Sequence, residues 1–106
     1  MDRQAFSAPV PSLVAATTGT GTVVPVNHCS KTLSTVKFGA GTSAGIVVVE
    51  SSDTPGGPWI LQGTATWAAA STEFEFKIDH RVGAIRHRFT TNAVGGVVDS
   101  NVQGDI

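Results

Sequence analysis

Thr72-Glu73-Phe74-Glu75-Phe76-Lys77-Ile78-Asp79 carries the clearest structural signal in this chain. Phe74, Phe76 and Ile78 fall on one side of a period of two, and Glu73, Glu75 and Lys77 on the other. A strand's side chains alternate between its faces, so this octet reads as a β-strand with one face on a core and one in water. A second octet, Ala84–Thr91, splits the same way: Ile85, His87 and Phe89 against Ala84, Arg86, Arg88 and Thr90. Ile46-Val47-Val48-Val49 does not alternate and reads as a central strand covered on both faces.

Working outward, the rest of the chain repeats one unit, a short apolar or alternating run followed by a turn signal. Strands are expected near Leu13–Ala16, Thr22–Cys29, Leu33–Gly39, Ala44–Ser51, Trp59–Trp67, Thr72–Asp79, Ala84–Thr91 and Val97–Gln103. About eight strands at this spacing predict one all-β domain, an antiparallel β-sandwich or jelly-roll-like fold. Composition agrees: 14 Val, 13 Thr and 5 Ile in 106 residues favour a pleated surface over a helix. No 11-residue window keeps an apolar period near 3.6, and Ala68-Ala69-Ala70 fits a loop as well as one helical turn. Residues 1–12, with Pro9 and Pro11, read as an extended N-terminal arm, and 13–106 as the sandwich. Such an arm spans at most roughly 40 Å.

Punctuation is strongest at Asp53-Thr54-Pro55-Gly56-Gly57-Pro58, where Asp53 is placed to bond the backbone two residues on. Gly95-Gly96 reads as the hairpin turn between the last two strands. The segments Gly19-Thr20-Gly21 and Gly39-Ala40-Gly41 lack the helix and Lys-Ser/Thr pair of a phosphate loop and read as turns.

The net charge of −1, with 14% charged residues, argues against a nucleic-acid partner held by bulk electrostatics. Met1-Asp2-Arg3-Gln4 lacks the basic n-region and apolar run of a secretory signal, and no aliphatic run approaches a membrane span. Synthesis in a reducing cytoplasm is expected, with no membrane contact. The single Cys29 excludes an intrachain disulfide, so stability must come from the core or from partner subunits.

The sequence offers few groups for chemistry. Glu73 and Glu75 lie roughly 6.5–7 Å apart on one strand, a separation that could serve acid/base work, but they share the solvent face. His28 and Cys29 are adjacent and point to opposite faces, so a Cys–His pair would need His80 or His87 from another strand. No two of the three histidines have a spacing that places them on one face for a metal. No catalytic residue, metal or cofactor is expected. Cys29 is read as a small buried hydrophobe.

Two features suggest contact with partners. Lys77, Arg81, Arg86 and Arg88 crowd into 12 positions, and Arg86 and Arg88 share a face. They could dock on an acidic surface, or be neutralised within the domain by Asp79, Asp99 or Asp105. Trp59 and Trp67 are eight residues apart, hence on one face of a regular strand, as core or interface anchors or as a sugar platform. The expected interface residues are Pro9, Pro11, Trp59, Arg86 and Arg88.

The stretch Glu50-Ser51-Ser52-Asp53, followed by Pro55-Gly56-Gly57-Pro58-Trp59 and Leu61-x-Gly63-Thr64, resembles small β-sandwich proteins of tailed-phage virions. Ile85-Arg86-His87-Arg88-Phe89-Thr90-Thr91 and Gly95-Gly96-Val97-Val98 extend the resemblance over somewhat more than half the chain. It implies a non-enzymatic structural protein of the virion: a head decoration (cement) protein, or a tail or head-fibre component. Its partner would be the major capsid protein or another virion protein, and its assembly a homo-oligomer, with a trimer favoured. It implies no catalytic residues. A carbohydrate- or surface-binding module built on Trp59 and Trp67 is the rival reading.

Overall fold

A computed structural model describes residues 9–26 and 29–104. Eight strands run in the order β1 (Val10–Ala16), β2 (Val24–Pro25), β3 (Thr32–Phe38), β4 (Ala44–Ser52), β5 (Ile60–Thr66), β6 (Glu73–Ile78), β7 (Ala84–Val94) and β8 (Val98–Gly104). They form two antiparallel four-stranded sheets, β1-β8-β3-β6 and β2-β7-β4-β5, packed as a sandwich. The fold class read from the sequence therefore holds. No helix of the described residues is long and apolar enough to cross a membrane.

The alternation reads directly into the layers. Phe74, Phe76 and Ile78 of β6 turn to the core while Glu73, Glu75 and Lys77 are exposed. Ile85, His87 and Phe89 of β7 are buried, facing Val47, Val49 and Ser51 of β4 across the ladder. β4 lies between β7 and β5, as its unbroken aliphatic run predicts. Even its outward Val48 is only 6% exposed. Gly63 of β5 lets the sheets close, because a Cβ there would stand 2.5 Å from Cδ1 of Phe76.

Four expectations need correction. Among its described residues the Thr22–Cys29 strand shrinks to Val24–Pro25, with the Val26 amide still donating to the Gly83 carbonyl at 2.9 Å just beyond it; residues 27 and 28 lie outside the described residues. Gly95-Gly96 is not a hairpin turn: β7 and β8 belong to different sheets, so this turn carries the chain across the sandwich. Ser52 and Thr54, rather than Asp53, brace the 53–58 turn. Thr54 N–H donates to Ser52 Oγ at 3.2 Å, and Thr54 Oγ1 donates to the Gly57 carbonyl at 2.9 Å. Gly57 sits at φ +91°, a conformation that glycine adopts without strain. Residues 68–71 close a turn through an Ala68–Ser71 bridge rather than a helix. Val10, Pro11 and Ser12, read as part of the arm, belong to β1, while residues 1–8 lie outside the described residues.

Candidate interaction surface

Two polar clusters flank β7, one on each face, and they differ in access to solvent.

The inward cluster centres on His87, which is fully buried between the sheets. Its Nδ1 lies 2.6 Å from Ser100 Oγ of β8 and its Nε2 3.0 Å from Ser34 Oγ of β3. One strand of one sheet is thus bonded to two strands of the other. Ser100 Oγ also accepts from the Leu13 amide, and Ser12 Oγ accepts from the His87 amide and donates to the Thr22 carbonyl. No ionised group joins these bonds, so burial alone pushes the imidazole's pKa down to about 4. A serine hydroxyl against a neutral imidazole is the pairing of a nucleophile and its base. Here Ser34, His87 and Ser100 are at most 1% exposed, so no substrate reaches them, and the triad serves as an inter-sheet tie.

The outward cluster lies on the exposed face of the β2-β7-β4-β5 sheet. Glu50 stands opposite Arg86 on the neighbouring strand, and Val48 opposite Arg88. The Glu50 side chain is 9% exposed, those of Arg86 and Arg88 23% and 37%. Arg86 Nε donates to Glu50 Oε1 at 2.8 Å; Arg88 Nε and Nη2 donate to Oε1 and Oε2 at 3.2 and 3.0 Å. The hydrogen bonds from Arg88, with the one from Arg86, hold the Glu50 carboxyl below the usual carboxylate range, against burial, which pushes it up. One carboxylate against two guanidiniums leaves a net positive charge. The Arg86 guanidinium carbon also sits 4.4 Å from the centre of the Trp59 ring, so this side chain is fixed on two sides.

Of the expected interface residues, the fold brings Trp59, Arg86 and Arg88 together. It sets Pro9 and Pro11 apart, at the β1 edge of the other sheet, where both are exposed. Glu50 joins the arginines from 36 and 38 positions away, a pairing that strand periodicity alone does not show. The available signal was its position at the end of a buried aliphatic run, where a carboxylate demands a partner. Asp99, considered as a neutralising group, instead accepts from the Ala15 amide at 2.8 Å, and Asp105 lies outside the described residues.

Trp59 and Trp67 do not share a face. β5 carries a bulge opposite Val49 and Glu50, and the extra residue shifts the alternation by one. Trp67 consequently packs against the core while Trp59 lies outside over Arg86, so they form no common sugar platform. Glu73 and Glu75 are on the solvent face, with Lys37 Nζ 3.7 Å from Glu73. Cys29 is half-buried rather than fully buried, and His28 lies outside the described residues. Among the described residues, no three His, Cys, Asp or Glu side chains gather to hold a metal.

No protein-family model and no curated protein matches the chain. Solved structures do. The SPBc2 prophage-derived protein YomS superposes with a TM-score of 0.65 at 13% identity, covering 99% of this chain and 95% of that one. A protein of the disulfide-linked pili that form Bacillus endospore appendages superposes with a TM-score of 0.53 at 17% identity, covering 98% and 88%. At such identities the likeness is one of fold.

Proposed function

We propose that this chain is a non-enzymatic structural protein of a phage particle, most specifically a decoration protein bound to the capsid. The observation that carries the reading is the Trp59–Arg86–Glu50–Arg88 cluster. Tryptophan and arginine are the side chains that anchor protein interfaces, and here they stand pre-ordered on an open sheet face. Holding a guanidinium in place before binding lowers the entropy lost on docking. The residual positive charge suits an acidic patch on a virion protein. The other group with chemical potential, His87, is sealed in the core. The phage setting draws support from the Glu50–Trp59 turn motif and from the fold shared with a prophage-derived protein.

Co-sedimentation of the purified chain with particles lacking it tests the proposal. The wild-type chain should pellet with heads, and Trp59→Ala and Arg86→Glu should stay in the supernatant while remaining folded. Binding to isolated tails instead would move the protein to the tail. Binding to neither, or equal binding by both variants, would refute the surface.

A further inference from the structure

The sandwich has four edge strands: β1 and β6 in one sheet, β2 and β5 in the other. An open edge offers unpaired N–H and C=O groups to any other strand, and folded proteins guard against that. Three of the edges are guarded. β1 contains Pro11, two register shifts against β8, and Ala15 at φ +45°. β2 is two residues long and includes Pro25. β6 carries Glu73, Glu75 and Lys77, all exposed.

β5, Ile60-Leu61-Gln62-Gly63-Thr64-Ala65-Thr66, has none of these devices beyond the one bulge near its start. It bears no charge and no proline, and its Ile60 and Leu61 are 62% and 59% exposed. Its outward groups can be identified. The Trp67 amide donates to the Gly45 carbonyl, so alternation turns the Ala65 backbone toward β4 and the Thr64 and Thr66 backbones toward the open side.

We infer that β5 is an assembly edge and that its occupant is β5 of a second copy, paired antiparallel about a two-fold axis. Self-pairing follows from elimination and charge. Among the described edge strands β5 has the fewest such devices, one bulge and neither charge nor proline, so the edge of another copy that meets it without a proline, repeated register shifts or charged side chains is β5 itself. Neutral strands oppose each other without like-charge repulsion. The contact joins two four-stranded sheets into one of eight, and it covers Ile60 and Leu61. A seven-residue edge lies at the small end of interface sizes, so the dimer is expected to be weak and concentration-dependent. This assembly differs from the trimer implied by the phage resemblance, and it does not depend on the particle reading.

Sedimentation equilibrium of the full chain from about 5 μM to 1 mM tests it. A monomer–dimer equilibrium is expected. Leu61→Lys should raise its Kd by at least about tenfold, because charged edge residues block strand pairing. Thr64→Pro removes an outward amide without touching the β4 ladder and should act alike. Val14→Lys, on the exposed face of guarded β1, should leave the equilibrium unchanged. A monomer up to 1 mM, a trimer, or a dimer indifferent to Leu61→Lys would overturn the inference. Leu61 is exposed, so that variant decides the matter even if Thr64→Pro fails to fold. Loss of the dimer with intact capture on heads would leave the proposed function standing, and the reverse result would separate them the other way.

Discussion

Acid should loosen this sandwich at its centre, by an amount that His87 sets. The imidazole titrates near 6.5 in an unfolded chain and at about 4 in the fold. Between those values the unfolded state binds more protons, so stability rises with pH through this window and is fully present above about 6.5. Each pKa unit corresponds to about 1.4 kcal/mol, so the whole effect is on the order of 3 kcal/mol, with about 1 kcal/mol already lost at pH 5.5 and most of it by pH 4. That is a large part of the 5–15 kcal/mol typical of a domain, roughly speaking. The assay is urea unfolding at half-unit steps from pH 7.5 to 4.5, on the wild type and on His87→Gln. The variant starts less stable, because it loses bonds to Ser34 or Ser100, but its curve should lack the His87 slope. An NMR titration should show the His87 imidazole still neutral at pH 5.5. Parallel stability–pH curves for the two proteins, or an imidazole half-protonated near pH 6.5, would refute the reasoning.

Other substitutions probe the remaining devices. Glu50→Gln strips the two arginines of their carboxylate and should cost about 1–3 kcal/mol, read as a shift in urea midpoint. The same carboxyl, held below its ordinary range, contributes stability above that range and loses it as pH falls through the lowered value, so the variant should show a shallower acid limb below about pH 4.5. Gly63→Ala presses a methyl onto the Phe76 ring and should cost roughly 1–3 kcal/mol, measured by thermal or urea unfolding. Trp59→Ala removes a half-exposed ring stacked on Arg86 and should cost no more than about 1 kcal/mol of stability, with its larger effect on particle capture.

The alternation in Glu73–Ile78 and Ala84–Thr91 was enough to assign faces, because one face of each sheet is buried and the other wet. Turn chemistry marked most of the boundaries between strands. What strand periodicity could not reveal was pairing between distant strands. His87 was legible as inward-facing, but the serines that receive it come from β3 and β8, whose arrival depends on sheet order. Arg86 and Arg88 were legible as a pair, whereas Glu50 reaches them only because β4 lies beside β7. The Trp59–Trp67 relation failed because a single bulge breaks a period-two count, and that bulge exists only against the register of β4. Gly95-Gly96 misled because a glycine turn has the same chemistry whether the chain returns in its own sheet or crosses to the other.

A particle component must be found in the particle. Peptide mass spectrometry on gradient-purified particles, from cells that encode it, is the most direct test. The chain should appear in the particle fraction in many copies, scaling with the major capsid protein from one preparation to the next. Its absence from that fraction while abundant in the cell lysate would contradict that role.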